Sequence, residues 1–332
     1  MPANWQAELA AFLPDLSAFR DSLELDSAQL PDSKGAAKQF PLRLTRDWAA
    51  RIQPGAPADP LLRQVWPAPE ELNSPPGYAD DPVGDREAQV LPGVLRKYRG
   101  RALLIATGAC AIHCRYCFRR AYPYGESQLN RTNEQAALEA IAGDTSLEEI
   151  ILSGGDPLML SDARLASLVS RLAAIPHIRR LRLHTRLPVV LPARVTADLT
   201  ALLATIRPRV AVVVHANHPR EIDATVGGAL NRLRETGATL LNQSVLLRGV
   251  NDDAEALARL SETLFEHGVL PYYLHLLDQA RGTAHFDVPE DEARDLLAEL
   301  RTRLPGYLVP RLVREVAGEA CKTPLELLSQ TL

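Results

Sequence analysis

From residue 100 onward the chain alternates short apolar runs with amphipathic stretches, and this alternation limits it to a few folds. Short apolar runs are typical of buried strands, and the stretches between them have helical periodicity. Parallel strands need helical crossovers, so six such units predict an α/β fold whose parallel sheet curves toward a barrel. We therefore predict a partial (βα)6 barrel with strands at residues 102–107, 149–153, 180–185, 210–215, 239–245 and 270–276. Helices are predicted between and after them, at residues 133–142, 161–174, 196–206, 222–236, 252–267 and 290–304.

The chain on either side of this pattern has a different character. Residues 1–95 are rich in Pro, Asp and Ala, and eight prolines between positions 54 and 82 exclude long regular elements there. Thr45 is a plausible N-cap for a helix that follows it. We predict a mostly helical N-terminal extension at 1–95, a barrel at 96–307 and a C-terminal segment at 308–332. The extension is expected to pack on the core or on a neighbouring subunit of a homo-oligomer.

Composition excludes several classes of function. The 332 residues carry a formal net charge of −4, which gives no broad electrostatic grip on nucleic acid or on an anionic membrane. No apolar run approaches the ~18–20 residues of a membrane span, and the first residues lack the cationic start of a secretory signal. We expect a soluble, cytoplasmic protein.

Three of the four cysteines, Cys110, Cys114 and Cys117, follow the first predicted strand within eight residues. They cannot all pair with one another, and cytosolic proteins rarely keep disulfides. A structural zinc site would need a fourth ligand, but His113 abuts Cys114 and Cys321 is distant. Three thiolates suit an iron–sulfur cluster, which would keep one iron open for a small molecule.

Polar residues also gather at the ends of the predicted strands, where barrels of this kind have their active sites. Ser153-Gly154-Gly155-Asp156 ends the second strand, and His215 ends the fourth. With His218 it forms an H-x-x-H pattern that could bind metal, although no third ligand is near. Gln243 interrupts a buried run, so it either satisfies its neighbours or faces a cavity. We expect these groups to converge.

Two basic features have alternative interpretations. The run from Arg96 to Arg101 is typical of a solvated surface, but it would also suit the phosphate of a cofactor. Lys322, in a loop of small residues, is either a surface lysine or a partner for pyridoxal phosphate.

The cysteine spacing, with Tyr116 before the last thiol, resembles the radical S-adenosylmethionine (radical SAM) superfamily. In that superfamily the open iron binds S-adenosylmethionine, which is cleaved to a 5′-deoxyadenosyl radical. Further motifs in the same order resemble the lysine 2,3-aminomutase family from about residue 81 to 324. They are Thr185-Arg186-Leu-Pro, His215-Ala-Asn-His-Pro, Tyr272-Tyr273-Leu-His-Leu-Leu-Asp278 and Lys322-Thr-Pro. The resemblance implies a [4Fe–4S] cluster, S-adenosylmethionine and pyridoxal 5′-phosphate as cofactors.

The same resemblance implies roles for individual residues. Cys110, Cys114 and Cys117 would hold the cluster, and Lys322 would form the Schiff base with pyridoxal phosphate. Lys97 and Arg101 match positions near its phosphate, and Tyr98 could stack on its ring. Arg119 would bind the substrate α-carboxylate, and Asp278 with Glu315 would bind its side-chain ammonium. The residues implied to contact S-adenosylmethionine are Tyr116, Ser153, Gly154, Gly155, Asp156, His215 and Gln243.

Two differences from the catabolic aminomutases indicate which branch of the family the chain resembles. Those enzymes carry a glycine run before the cofactor lysine and a C-terminal extension with zinc-binding cysteines. Here Glu319-Ala-Cys321 precedes Lys322 and no spare cysteine follows, so zinc is not expected. The chain resembles the shorter branch that makes (R)-β-lysine for post-translational β-lysylation of elongation factor P.

The resemblance implies free L-lysine as substrate, an electron donor such as flavodoxin or ferredoxin, and a functional link to the enzyme that lysylates elongation factor P. One alternative is an aminomutase acting on another cationic amino acid such as arginine. Another is a non-catalytic relative that keeps its cluster. A glutamate substrate is disfavoured, because Asp278 and Glu315 would repel its side chain.

Overall fold

A computed structural model describes residues 5–10, 15–31 and 33–325, and its centre is one sheet of ten strands. The strands pair in the order in which they occur along the chain. They are β1 (Gln89–Leu91), β2 (Val94–Leu95), β3 (Arg101–Thr107), β4 (Glu149–Gly154), β5 (Arg180–Thr185), β6 (Arg209–Val214), β7 (Thr239–Val245), β8 (Val269–His275), β9 (Arg311–Arg314) and β10 (Thr323–Pro324).

Strands β3 to β9 are parallel to one another, whereas β1, β2 and β10 pair antiparallel at the two edges. The first strand does not pair with the last, so the sheet stays open. Each of the six predicted strands is present, with ends that differ from the expectation by at most one residue. The partial barrel is confirmed. Strand β9, in the predicted C-terminal segment, extends the parallel part of the sheet.

Thirteen helices surround this sheet within the described residues. Five lie in the N-terminal extension: α1 (Trp5–Ala10), α2 (Leu16–Ser22), α3 (Lys34–Gln39), α4 (Arg46–Ala50) and α5 (Pro60–Arg63). The others are α6 (Tyr124–Ser127), α7 (Glu134–Gly143), α8 (Asp162–Ala173), α9 (Leu187–Val190), α10 (Ala197–Thr205), α11 (Ala224–Glu235), α12 (Ala254–Glu266) and α13 (Glu290–Arg303). The six predicted helices correspond to α7, α8 and α10 to α13.

Side-chain caps explain where four of the six long barrel helices begin, whereas α7 and α13 have no side-chain cap. Ser161, Thr196, Asp223 and Asp253 each accept a hydrogen bond from a backbone N–H in the first turn of α8, α10, α11 and α12, respectively. Such a cap satisfies one of the amides that a helix start leaves without a partner. The crossovers therefore start at fixed points, and this fixes the loops that precede them.

The N-terminal extension packs on the barrel of its own chain. Thr45 caps α4 as predicted, and its hydroxyl also donates to the carbonyl of Val190 in α9. The Nη2 atom of Arg51 donates to the carbonyl of Val189 at 2.7 Å. Trp48 is fully buried in the same apolar core as the barrel helices. The predicted division at residue 95 follows β2, which lies in the same sheet as the barrel strands.

The described part of the predicted 308–332 segment ends at Leu325 and contains the β9–β10 hairpin. Among the described residues, no helix is both long and apolar enough to cross a membrane.

Candidate active site

A cavity of about 560 Å³ lies at the C-terminal ends of the parallel strands. It is lined by every residue that the sequence analysis assigned to a site. These are Lys97, Tyr98, Arg101, Cys110, Cys114, Tyr116, Cys117, Arg119, Ser153, Gly154, Gly155, Asp156, His215, Gln243, Asp278, Glu315 and Lys322. Residues from positions 97 to 322 thus meet in one place; the strand-end argument predicts this for residues 153–156 and His215, whereas Lys97 and Arg101 reach the cavity from the start of β3.

The three clustered cysteines lie on the loop after β3, and all of them are free thiols. Within this loop the amide of Cys117 donates to the carbonyl of Cys114 at 2.9 Å. Burial raises the pKa of Cys110 well above its usual range, and the neighbouring Cys117 adds to the rise. Burial, with a contribution from Cys114, raises the pKa of Cys117 to about 11. A bound cationic group would be needed to keep these thiols ionised together.

The glycine pair after β4 is required by the protein's own backbone. Gly154 has φ +125°, and a Cβ there would lie 2.4 Å from the carbonyl oxygen of Thr107. A Cβ on Gly155 would lie 2.3 Å from the carbonyl oxygen of Ala109. The amide of Gly155 donates to Thr107 at 2.7 Å, which holds the pair against the start of the cysteine loop. Only glycine allows so close an approach.

Asp156 braces the turns after β4 and β5. Its carboxylate accepts hydrogen bonds from the Thr185 hydroxyl at 2.8 Å, the Arg186 amide at 2.7 Å and the Leu158 amide at 3.0 Å. Burial raises its pKa to about 6, although these hydrogen bonds favour the charged form. Asp156 therefore positions the cavity wall as well as lining it.

Five side chains of alternating charge connect the C-terminal hairpin to the cysteine loop. Lys322 donates to Glu315, and Lys97 Nζ lies 2.8 Å from the other oxygen of Glu315. Lys97 Nζ also lies 2.7 Å from Asp85 Oδ1. Arg119 Nε lies 2.6 Å from Asp85 Oδ2, and its Nη1 donates to the Ser153 hydroxyl at 3.1 Å. Lys322 and Arg119 thus belong to one electrostatic network.

The two acidic residues of the predicted ammonium site differ in ionisation. Burial raises the pKa of Asp278 to about 7, and the Glu315 carboxylate adds to the rise. Burial would also raise the pKa of Glu315, but the ammonium groups of Lys322 and Lys97 outweigh it and lower the value to about 2. At neutral pH Glu315 is charged and Asp278 is close to half-protonated. An incoming cation would favour ionisation of Asp278.

Besides His113 of the cysteine loop, three histidines line the cavity, His184, His215 and His275, and the sequence analysis assigned only His215 among them to a site. Burial and nearby cationic side chains keep all three neutral, lowering the pKa of His215 to about 3 and those of His184 and His275 well below the usual range. The Nε2 atoms of His215 and Gln243 lie 2.7 Å apart. The Nε2 atoms of His184 and His275 find no hydrogen-bond partner among the described residues. Neutral imidazoles can therefore bond to a ligand here without adding charge.

His215 and His218 do not act as a pair. His218 Nδ1 accepts from the backbone amide of Arg220 at 3.2 Å, whereas His215 points to Gln243. Among the described residues no three His, Cys, Asp or Glu side chains form a ready-made site for a single metal ion.

Comparisons with known proteins relate this geometry to a family. The model of the radical SAM superfamily matches residues 104–261. The L-lysine 2,3-aminomutase of Escherichia coli (strain K12) is 49% identical over 325 residues, covering 98% of this chain and 95% of that protein. The Haemophilus influenzae L-lysine 2,3-aminomutase is 46% identical over 96% of this chain and 95% of its own length. The one from Clostridium subterminale is 32% identical over 97% of this chain and 77% of its own.

This chain belongs to the lysine 2,3-aminomutase family. Members of the family are radical SAM isomerases, and the chain is an enzyme of that class. The family's cofactors are a [4Fe–4S] cluster, S-adenosylmethionine and pyridoxal 5′-phosphate.

The residues present suit these cofactors. A lysine 2,3-aminomutase needs three thiols for the cluster, and here three free thiols of one loop border a single cavity. It needs a lysine for pyridoxal phosphate, and Lys322 reaches the same cavity, with its Nζ 5.9 Å from the Tyr273 ring centroid. Lys97 and Arg101 line the cavity together with Tyr98 and could provide the positive charge that the phosphate of pyridoxal phosphate requires. The cavity therefore contains residues whose chemistry fits the cluster and pyridoxal phosphate.

Sequence reasoning missed several residues of this aminomutase site. Asp85 was overlooked because the extension showed no motif, yet it binds both Lys97 and Arg119. The alternation of polar residues with leucines in β5 was a usable signal for His184, because that face of the strand lines the cavity. Tyr273 and His275 share a face of β8 in the same way.

Proposed function

We propose that this chain converts L-lysine into (R)-β-lysine by moving the amino group from the α- to the β-carbon. The observation that carries the proposal is the charge arrangement of the cavity. It combines an arginine for a carboxylate, two acids for a side-chain ammonium and a lysine for pyridoxal phosphate. Lysine carries an α-carboxylate, an α-amine and a side-chain ammonium that match this set, and the relatives at 49% and 46% identity are L-lysine 2,3-aminomutases.

Arg119 is proposed to bind the α-carboxylate. A guanidinium suits a carboxylate through two parallel N–H bonds, and Ser153 and Asp85 hold Arg119 in place from two sides. Because Arg119 is only 8% exposed, the interaction is largely shielded from water.

Asp278 and Glu315 are proposed to bind the ε-ammonium. Glu315 contacts the ammonium groups of Lys97 and Lys322. If Lys97 turned to the phosphate of pyridoxal phosphate, Glu315 would lose one cation and could contact the substrate ammonium instead.

When bound, S-adenosylmethionine and the cluster supply the radical chemistry and pyridoxal phosphate supplies the electron sink. The side chains of this protein then have to orient lysine and limit the access of water. His184 and His275 are neutral, so they can hydrogen-bond to a ligand in this cavity without adding a positive charge to it. An electron donor such as flavodoxin or ferredoxin is proposed to deliver the electron that starts the reaction.

The reconstituted protein should be incubated without oxygen with L-lysine, L-arginine and L-glutamate, and the products resolved by chiral mass spectrometry. We expect (R)-β-lysine from lysine, little product from arginine and none from glutamate. Arginine as the better substrate would overturn the lysine assignment. No β-isomer from any amino acid, with cluster and pyridoxal phosphate both bound, would favour a non-catalytic relative.

We further propose that the product serves the β-lysylation of elongation factor P in the cytoplasm. The support is the resemblance to the shorter branch, together with higher identity to the Escherichia coli and Haemophilus influenzae relatives than to those of Clostridium subterminale and Fusobacterium nucleatum, at 32% and 30%. The chain should replace the Escherichia coli relative in a deletion strain and restore β-lysylated elongation factor P, read by mass spectrometry. Restoration by a Lys322→Ala variant would contradict the proposal.

A further inference from the structure

Arg186, the second residue of the Thr-Arg-Leu-Pro motif, lies directly behind the cysteine loop. It follows β5 and is 6% exposed. Its Nη1 atom donates to the sulfur of Cys114 at 2.7 Å. Its Nη2 atom donates to Gln64 Oε1 at 2.6 Å and lies 3.1 Å from Glu221 Oε2. The guanidinium thus joins a thiol of the cavity to a buried carboxylate.

The surroundings fix this guanidinium firmly. Its central carbon lies 4.5 Å from the ring centroid of Trp48 and 5.7 Å from that of Tyr116, so aromatic rings bound it. Trp48 and Gln64 come from the N-terminal extension, which packs on the barrel at this point. A cation held between aromatic rings and hydrogen-bond acceptors has little freedom to move away from the sulfur.

Glu221 is the counter-charge of Arg186 and has no solvent exposure. Its Oε1 atom accepts from Gln64 Nε2 at 3.0 Å, from the Asn217 amide at 2.9 Å and from the His218 amide at 3.1 Å. A buried carboxylate with this many donors is held in place. Arg186 and Glu221 therefore form a fixed ion pair, and its positive member contacts Cys114.

We propose that Arg186 raises the reduction potential of the [4Fe–4S] cluster by donating a hydrogen bond to the Cys114 thiolate, with Glu221 as its counter-ion. The inference rests on Cys114 as a cluster ligand and is independent of which amino acid the enzyme isomerises. Arg186 is a positioning residue, because it acts on the cluster through the sulfur of Cys114. The extension would then contribute to redox chemistry through Trp48 and Gln64.

Electrostatics determines the direction in which Arg186 shifts the reduction potential of the cluster. Reduction from the 2+ to the 1+ state adds one electron, which an external one-electron reductant supplies, so the site becomes more negative. N–H donors to sulfur and nearby positive charge stabilise that reduced state and raise the potential. Removing the Arg186 charge should lower the potential, and removing the Glu221 charge should raise it. A purely structural role gives no reason for opposite signs.

The test is an anaerobic redox titration with dithionite, followed by electron paramagnetic resonance of the reduced cluster, without S-adenosylmethionine or lysine. For Arg186→Gln we expect the ratio of reduced to oxidised cluster at a fixed potential to fall about tenfold, a shift of about 59 mV for one electron. Arg186→Lys keeps the charge but cannot reach both partners, so its potential should lie between those of Arg186→Gln and the wild type.

Two further variants keep the test decisive. Arg194→Gln is the matched control, because Arg194 is likewise a buried arginine but bonds to Asp162 and to the carbonyls of Leu158 and Leu160. It should lower the melting temperature and leave the reduction potential unchanged.

Glu221→Gln should raise the reduction potential, and this variant decides the test if Arg186→Gln does not retain iron. An unchanged potential in Glu221→Gln, or equal shifts in Arg186→Gln and Arg194→Gln, overturns the proposal. Because β-lysine formation is assayed separately, failure here leaves the proposed reaction untouched.

Discussion

The Oδ2 atom of Asp85 lies 2.6 Å from the Nε atom of Arg119, and both side chains are almost inaccessible to solvent. Asp85 belongs to the N-terminal extension, whereas Arg119 follows the cysteine loop. A buried arginine keeps its orientation only if its charge is matched. The extension therefore orients the guanidinium of Arg119, which is the proposed binding group for the substrate carboxylate.

Replacing Asp85 by Asn should impair lysine turnover without loss of the cluster. The change removes the charge that both Arg119 and Lys97 use, and kcat/KM for lysine should fall about 30-fold or more, equivalent to about 2 kcal/mol or more. Asp80→Asn is the control, since its ion pair with Arg281 is exposed and contributes little. Steady-state kinetics and iron content measure the two effects. Equal kinetics for both variants would refute the role of Asp85.

Asp278 should make lysine binding depend on pH near neutrality. Its pKa of about 7 means that the acid is protonated below this value and cannot fully attract an ammonium. Affinity for lysine should therefore increase as the pH rises through 7, as measured by calorimetry. Asp278→Asn should abolish this dependence and weaken binding by about 2–5 kcal/mol above pH 7. Asp287→Asn, a nearby acid that accepts from Tyr78, is the control.

The same two acids have opposite effects on the pH dependence of stability. The raised pKa of Asp278 means that the folded state retains a proton which the unfolded state has lost, so its contribution to the free energy of unfolding falls between about pH 4 and 7. The lowered pKa of Glu315 contributes stability above about pH 4.5, which is lost as the pH falls toward 2. Thermal unfolding as a function of pH measures both effects. Asp278→Asn should lose the pH dependence of stability between about pH 4 and 7, and Glu315→Gln should lose the one below about pH 4.5.

Replacing Cys321 by Ala should leave iron content and the absorption near ~400 nm intact, whereas Cys117→Ala should remove both. Cys321 is exposed on the C-terminal hairpin loop, apart from the loop that carries the other three thiols. Iron analysis and visible spectra decide this. Loss of iron from Cys321→Ala would show that the ligand set is wrong.

Lys322 should be the residue that holds pyridoxal phosphate. It has Glu315 as its carboxylate partner, whereas Lys97 is held between Glu315 and Asp85. Borohydride reduction and peptide mapping should place the cofactor label on the peptide that contains Lys322. A label on Lys97 would contradict the assignment, and Lys322→Ala should remain unlabelled.

Gly155→Ala should destabilise the cysteine loop. The new Cβ would meet backbone atoms of Ala109 and Gly108 at 2.3 and 2.7 Å, so the loop must shift. We expect a decrease of about 1–3 kcal/mol in the free energy of unfolding, together with lower iron retention. Gly143→Ala, at the end of α7 with no atom within 4 Å, should be neutral or stabilise by up to about 1 kcal/mol. Chemical denaturation of the two variants provides the comparison.

The sequence predicted the strands well because each has its own apolar run, a local signal that needs no knowledge of partners. The motif residues were also predictable, since they stand at strand ends that any parallel barrel brings together. The partners of those residues were not. Asp85 and Gln64 reach the site only through the packing of a proline-rich extension whose path has no periodic signal.

Ionisation was the second property beyond the reach of sequence. The sequence assigns Asp278 and Glu315 one shared role, binding of a side-chain ammonium, and does not distinguish their pKa values, yet the structure separates them. Glu315 lies between two ammonium groups, whereas burial dominates at Asp278. This difference depends on depth and distance, neither of which is encoded by residue type.

The pairing of strands in chain order has a consequence for biosynthesis. The cysteine loop leaves the ribosome early, and Lys322 follows Cys117 by 205 residues. At translation rates of about 5–20 residues per second, the three thiols exist for about 10–40 s before the C-terminal wall of the cavity is made. The loop that carries the three thiols is therefore synthesised before β9 and β10, the strands that complete the sheet beside Lys322.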